Sequence, residues 1–409
     1  MAEILVNPRS APLDAVLGIR VVDLPPDERV VVSASTGDWA SSAVFLADER
    51  GVVDLARHAP VEGDYSGVDP MGLFWSMTRT GEPAGPTLVE VVGVGKVELE
   101  RRTVPEGVRR TEVRENGLVG VLYEPDDGEA HPGVLVLGGS EGGLREPDAA
   151  LLAGHGFAAL ALAYFGLPDL PDDLVEVPLE YFGTALDLLA SRPGGSAEGG
   201  PVAVGVVGGS RGGELALLIG ATFPQVKAVV SVAGSGVVTQ CVGPGARLLQ
   251  KLEHEGASWT WQGRPLPYLP YSVPGELRRQ VVAGEPVALR AAFDLSDGIP
   301  EDTEIPVERI EGGVLLLSPG RDESWPAEEL GEVAWRRLTA AGHGHRHEHV
   351  VYPEAGHLIA GPPHRPLTEL VVPGPGVAFS TGGSPAATAA ARADAWRRTV
   401  EFLSDQLGT

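Results

Sequence analysis

A chain of 409 residues exceeds one ordinary domain and suits an α/β domain of about 250–280 residues with a smaller companion. Hydrophobic residues make up 43% of it and the formal net charge is −25, which indicates a globular protein and excludes general nucleic-acid binding. No apolar run approaches the roughly 18 residues of a membrane helix, the start lacks the basic and apolar regions of a signal peptide, and the single cysteine, Cys241, excludes an internal disulfide and a cysteine metal cluster.

The expectation is therefore a cytoplasmic protein without a membrane partner. Lysine occurs only at 96, 227 and 251 among 31 basic residues, the coding bias of a GC-rich bacterial genome.

Residues 1–10 read as a loosely attached arm. From residue 12 to about 114 the pattern is all-β. Runs at 16–24, 29–35, 43–47 and 88–99 are separated by Pro-Pro-Asp, Thr-Gly-Asp and Glu-Pro-Ala-Gly turns, with 72–77 read as a further turn. This gives a sandwich-like N-terminal domain of about seven strands over 1–115.

Composition shifts near residue 116, and the second domain runs over 116–409. Strands are expected at 119–123, 133–137, 157–163, from 202, and at 226–233, 313–318 and 347–352. Helices are expected at 147–155, 179–191, after residue 210, and at 326–341 and 389–407. Strands alternating with helices of this length predict a mostly parallel, doubly wound α/β sheet. Residues 236–305 interrupt it. Their tryptophans, tyrosines and prolines, with a helix at 281–293, suggest a lid-like insertion. Residues 361–387 read as a long irregular loop.

The chemistry centres on Gly208-Gly209-Ser210-Arg211-Gly212, a G-x-S-x-G match between an apolar strand and the helical Glu-Leu-Ala-Leu-Leu-Ile. A turn this tight needs nearly side-chain-free neighbours. It exposes the Ser210 hydroxyl at a helix N-terminus, where negative charge is favoured. Gly138-Gly139-Ser140-Glu141-Gly142 matches the same pattern after an earlier strand. That position suits a loop supplying an oxyanion N–H, so Gly139 and Ser140 are assigned there beside the N–H of Arg211.

A serine hydroxyl needs a base, and the base an orienting acid. His357 follows the last expected strand, after a glycine, at the sheet's carboxyl edge. Asp322 follows the strand ending at Ser318, with Glu323 as its neighbour and alternative; Asp294 and Asp297 lie in the insertion. His343, His345, His347 and His349 alternate like metal ligands but precede a strand, at the wrong edge, and are read as a solvated turn. No metal and no cofactor are expected.

These residues resemble the family of acyl-CoA thioesterases and bile-acid-CoA:amino-acid N-acyltransferases. The likeness runs through residues 11–14, Asp64-Tyr65-Ser66-Gly67-Val68-Asp69-Pro70-Met71-Gly72-Leu73-Phe74-Trp75-Ser76-Met77, residues 151–157 and 160–165, the elbow at 208–213, Ser258-Trp259-Thr260-Trp261-Gln262-Gly263-Arg264-Pro265-Leu266-Pro267, and residues 353–359. It implies an N-terminal β-sandwich-like domain on an α/β-hydrolase, thioester substrates, and a triad of Ser210, Asp322 and His357. The family hydrolyses with serine and, in its bile-acid branch, transfers to glycine or taurine with cysteine. Ser210 therefore predicts hydrolysis of an acyl-CoA or carrier-bound acyl thioester. The alternatives are an acyltransferase or a carboxylester hydrolase with the same triad, in a bacterial biosynthetic pathway. A peroxisomal Ser-Lys-Leu address is missing, a departure from the lipid-handling members.

Overall fold

The computed structural model describes residues 1–81, 85–191 and 203–408. Glu82-Pro83-Ala84 of one expected turn, and Val202 at the expected start of the motif strand, lie outside them. Contacts divide the chain into two compact units, 1–105 with 362–370, and 106–361 with 371–409.

The first unit is β-rich. Its three-stranded sheet pairs Glu3–Asn7 with Gly18–Val22, and the latter with Val53–Asp54. The larger sheet is built around the hairpins Arg29–Thr36/Trp39–Leu46 and Thr87–Val91/Gly95–Arg102. Two expectations fail here. Residues 1–10 are no loose arm: Ile4 and Val6 alternate inward along a paired strand, and Ser10–Pro12 pairs with Gly95–Arg102. Gly72–Trp75 is one helical turn with all four residues buried.

The second unit holds an eight-stranded sheet: β1 (Val108–Val113), β2 (Val119–Pro125), β3 (Gly133–Leu137), β4 (Ala158–Ala163), β5 (Val204–Gly209), β6 (Val226–Val232), β7 (Gly313–Pro319) and β8 (His347–Tyr352). Their order is β1-β2-β4-β3-β5-β6-β7-β8. The β1–β2 and β2–β4 pairs are antiparallel and all others parallel. This is the α/β-hydrolase sheet expected from the sequence. β1 falls within the span expected for the N-terminal domain, but its ladder to β2 moves the division from 115 to 105. Every residue of β3, β4 and β7 is buried, as continuous apolar runs between two helix layers require.

The helices are α1 (Glu146–Gly154), α2 (Leu179–Ala190), α3 (Arg211–Thr222), α4 (Leu248–Leu252), α5 (Gly275–Ala283), α6 (Ala327–Ala340) and α7 (Pro385–Leu407). α7 starts before the expected 389 because Ser384 caps it, accepting from Ala387 N–H at 3.3 Å, with Pro385 in its first turn.

Residues 236–305 pack in an apolar cluster in which Val237, Leu248, Leu269, Leu277, Val287 and Phe293 meet Trp325 and, from α6, Ala327, Leu330 and Val333. The expected helix at 281–293 is replaced by α5, which stops at Gly284 in the left-handed conformation, two residues before Pro286. Residues 361–387 contain the hairpin Val371–Gly374/Val377–Ser380, whose Val377 and Phe379 pack on that cluster, so the irregular loop is partly ordered pairing.

Candidate active site

Because β5, β7 and β8 run parallel, the loops that leave them emerge at one edge of the sheet. Those loops carry Ser210, Asp322 and His357. Ser210 follows β5 directly and holds φ +55 and ψ −124, a conformation that a non-glycine residue adopts only when its surroundings impose it. The imposition is steric and hydrogen-bonded. Ser210 N–H donates to the Val232 carbonyl at 2.8 Å, and its own carbonyl accepts from Gly213 N–H at 2.8 Å. A β-carbon on Gly208 would collide with the Gly212 carbonyl oxygen, and one on Gly212 with the Gly138 carbonyl oxygen. Only glycine lets strand, turn and helix close this tightly.

The structure brings the three side chains together. The Ser210 hydroxyl lies 3.0 Å from His357 Nε2, and His357 Nδ1 lies 2.7 Å from Asp322 Oδ2. Asp322 is acceptor-only when ionised, so Nδ1 carries the proton and Nε2 is left to accept from the hydroxyl. The other Asp322 oxygen accepts from the N–H groups of Ser324 at 2.7 Å and Trp325 at 3.2 Å, so both oxygens of this buried carboxylate are engaged. Burial opposes charge on His357, but the charge and hydrogen bond of Asp322, with a contribution from Glu141, outweigh it and hold the imidazole above its ordinary value near 6.5. Glu323 is exposed and accepts from the Ser380 hydroxyl, and Asp294 and Asp297 are exposed in the insertion. Asp322 alone of the four reaches the imidazole.

Of the proposed oxyanion residues, Gly139 and Arg211 adjoin Ser210. Gly139 borders Ser210: the place of a β-carbon on it lies 3.3 Å from the Ser210 β-carbon. Ser140 turns its side chain to solvent, and Arg211 opens α3.

Sequence reasoning missed two supports. The first is the Arg211 side chain. It is 3% exposed and pairs with the fully buried Glu214 at 3.1 Å. It also donates to the carbonyls of Thr239 and Gln240, both at 3.1 Å, to the Thr239 hydroxyl, and to the Tyr271 hydroxyl at 2.7 Å. Glu214 in turn accepts from Trp259 Nε1 at 2.8 Å and from the Thr239 hydroxyl at 2.7 Å. Burial pushes the Glu214 carboxyl up, against the opposing pull of Arg211, Thr239 and Trp259. This network ties the elbow to residues 239–271 of the insertion. The ring sequence Tyr271–Phe293–Trp325–His357 ties the same segment to the imidazole, with centroids 5.3, 6.0 and 6.4 Å apart. An Arg and Glu three residues apart at a helix start signalled the pair; nothing local signalled its burial.

The second support is Thr381–Gly383. The Thr381 carbonyl accepts from His357 N–H at 2.8 Å, and Gly382 forms a bridge with Asp322. Thr388, on α7, accepts from Gly356 N–H at 3.0 Å. The acid loop and the imidazole loop thus lean on one segment.

The histidine run differs from a solvated turn. His347 and His349 lie on β8 and stack on Trp335 of α6, at 5.1 and 6.4 Å, and His349 is 3.0 Å from the Ser318 hydroxyl. Among the described residues no group of three or more His, Cys, Asp or Glu is arranged to hold a metal ion, and no helix is long and apolar enough to cross a membrane.

Residues 177–409 match the sequence model of the family described as BAAT / acyl-CoA thioester hydrolase C terminal, and residues 14–92 match that of the acyl-CoA thioester hydrolase/BAAT N-terminal region. The chain is 32% identical over 425 residues to acyl-coenzyme A thioesterase 1 of Homo sapiens, covering 97% of this chain and 94% of that protein. It is equally 32% identical to the mitochondrial acyl-coenzyme A thioesterase 2 of Homo sapiens, covering 97% and 82%. Acyl-coenzyme A amino acid N-acyltransferase 2 of Mus musculus is 30% identical, covering 100% and 98%.

Proposed function

The chain belongs to the acyl-CoA thioester hydrolase/BAAT family, and from that membership we propose that it hydrolyses an acyl thioester through an acyl-Ser210 intermediate. The observation that carries the reading is the continuous line from Ser210 Oγ through His357 to Asp322, at 3.0 and 2.7 Å. Asp322 fixes the imidazole tautomer and steadies the charge it acquires. His357 takes the Ser210 proton as Oγ bonds to the acyl carbon, then delivers that proton to the departing thiolate. The N–H of Arg211, with that of Gly139 or Ser140, receives the oxyanion, aided by the α3 dipole. In the second half His357 takes a proton from water, whose oxygen bonds to the acyl carbon. The bond to Ser210 then breaks and the proton passes to Ser210 Oγ.

Residues 236–305, tied to the elbow through Arg211 and linked to the imidazole through Trp325, act as a lid-like segment that selects the acyl group. The thiol carrier is coenzyme A, with a carrier-protein thiol as the alternative. A second reading, transfer of the acyl group to an amine, is favoured by the N-acyltransferase relative. A panel of CoA thioesters, carrier-bound thioesters and simple esters, with and without amine acceptors, separates these readings. Wild type and Ser210→Ala are run side by side; retention of wild-type turnover by Ser210→Ala would sink the catalytic assignment.

A further inference from the structure

Glu141 takes no part in the proton relay, yet it stands against it. The place of a β-carbon on Gly139 lies 2.6 Å from Glu141 Oε2 and 3.3 Å from the Ser210 β-carbon. Carboxylate and nucleophile therefore flank the same glycine. The Glu141 side chain is 58% exposed, so it borders both solvent and the glycine beside the nucleophile. Nearby cations do not cancel its charge. Arg145 Nη1 is 3.6 Å from Glu141, but Nη2 of the same guanidinium donates to Asp148 at 3.1 Å, so these three groups carry one net negative charge. Asp322 adds another while His357 is neutral. Arg211 is matched by Glu214. Arg392 donates to the Leu358 carbonyl at 2.7 Å, one residue beyond the imidazole.

A negative charge here opposes the developing oxyanion to some degree. It opposes two other species more strongly, because each brings a full charge to the acyl carbon: the carboxylate product, and an amino-acid acceptor whose carboxylate or sulfonate enters beside its amine. Water brings none. The thioester end of coenzyme A is also uncharged, its phosphates lying at the far end of the pantetheine arm.

We propose that Glu141 is a specificity-determining residue that favours water over anionic acceptors at the acyl-Ser210 stage and promotes departure of the carboxylate product. This rests on the hydrolase reading and deepens it. Water's oxygen replaces Ser210 Oγ on the acyl carbon, one water proton returns to Ser210 through His357, and the acid formed ionises beside Glu141.

The test compares the intact chain with Glu141→Gln, Glu141→Ala and Ser210→Ala on one acyl-CoA. Taurine, glycinamide or the product carboxylate is added, at about 0.05 and 0.5 M salt. At low salt both Glu141 variants are expected to bind the product about two- to fivefold more tightly and to raise any taurine share by a similar factor, with both effects shrinking at high salt. Transfer to glycinamide changes little. The acidic limb of kcat/KM moves to lower pH, since Glu141 and Asp322 together hold the imidazole up, while Arg392 and the Arg211–Glu214 pair are the same in both variants. Unchanged product inhibition in both variants overturns the proposal. So does an equal change for taurine and glycinamide, which would mark a steric role. Fluorophosphonate labelling of Ser210 in the Glu141 variants reports an assembled site. If Ser210→Ala keeps turnover, the hydrolase reading itself falls; if it silences turnover while the Glu141 variants match the parent, only this inference falls.

Discussion

The chain writes Gly-Gly-Ser-x-Gly-Gly twice, at 138–143 and 208–213, and folds it in two ways. After β5 the serine itself takes the positive φ, and α3 begins at the next residue. After β3 the positive φ falls on Gly142 and Gly143, Ser140 faces solvent, and α1 waits until Glu146. Each copy has an acidic residue close behind its serine. Glu214 is fully buried in an ion pair, whereas Glu141 is exposed. The glycine–serine pattern is shared, and the residues C-terminal to it decide the outcome. Glu-Leu-Ala-Leu-Leu drives a helix at once, while Leu144-Arg145-Glu146-Pro147 delays one until the proline can occupy the first turn. A short motif thus acquires its geometry from its C-terminal neighbours.

The comparison breaks most visibly at the two serines. Ser210→Ala is expected to lower turnover by about 10⁴- to 10⁶-fold. Ser140→Ala should leave it within about threefold, because the role proposed there belongs to the backbone N–H and the residue is exposed. Comparable losses in a thioester assay would erase the distinction.

The acidic residues come next. Glu214→Gln weakens the partner of a buried guanidinium and should cost about 3–5 kcal/mol of unfolding free energy, whereas Glu141→Gln should stay within about 0.5 kcal/mol. Chemical denaturation of both variants checks this.

The glycines sharpen the contrast further. Gly212→Ala, which would drive a β-carbon into the Gly138 carbonyl, should destabilise by about 3 kcal/mol or more. Gly143→Ala meets nothing within 4 Å, so only its φ of +74 counts, about 1–2 kcal/mol. Thermal melts that ranked them the other way would contradict the packing described for the elbow.

The smallest effect is in pH. His357 must be neutral to accept a proton, and its imidazole is held above the ordinary range. The rate should therefore fall, as pH is lowered, from a point above that of an unperturbed histidine. A kcat/KM profile whose acidic limb lies at or below pH 6.5 would argue against the pull of Asp322 and Glu141.

Much of the second unit was legible in the sequence. β3 begins and ends where its apolar run does, because a buried parallel strand is written as a continuous hydrophobic segment. Ser210, Asp322 and His357 were singled out by their positions after strands, and the fold brings them within hydrogen-bond distance in a line. β1 was not: its Arg109, Arg110 and Glu112 face outward, so only Val113 is buried and the strand lacks an apolar signature. Nor was the Arg211 network, whose partners Thr239, Trp259 and Tyr271 lie 28 to 60 residues away. The loose reading of 361–387 failed for a related reason. Gly382 and Gly383 look like loop residues, yet close contacts with the acid and imidazole loops require them.

Those contacts bear on when activity can arise during synthesis. A ribosome that has released Ser210, Asp322 and His357 has delivered every side chain of the proposed relay, but neither Thr381–Gly383 nor α7 has yet emerged. The nascent chain therefore holds its nucleophile without the brace that sets acid against base. Alignment of the proposed relay waits on residues 381–388, which follow all three of its side chains in the sequence.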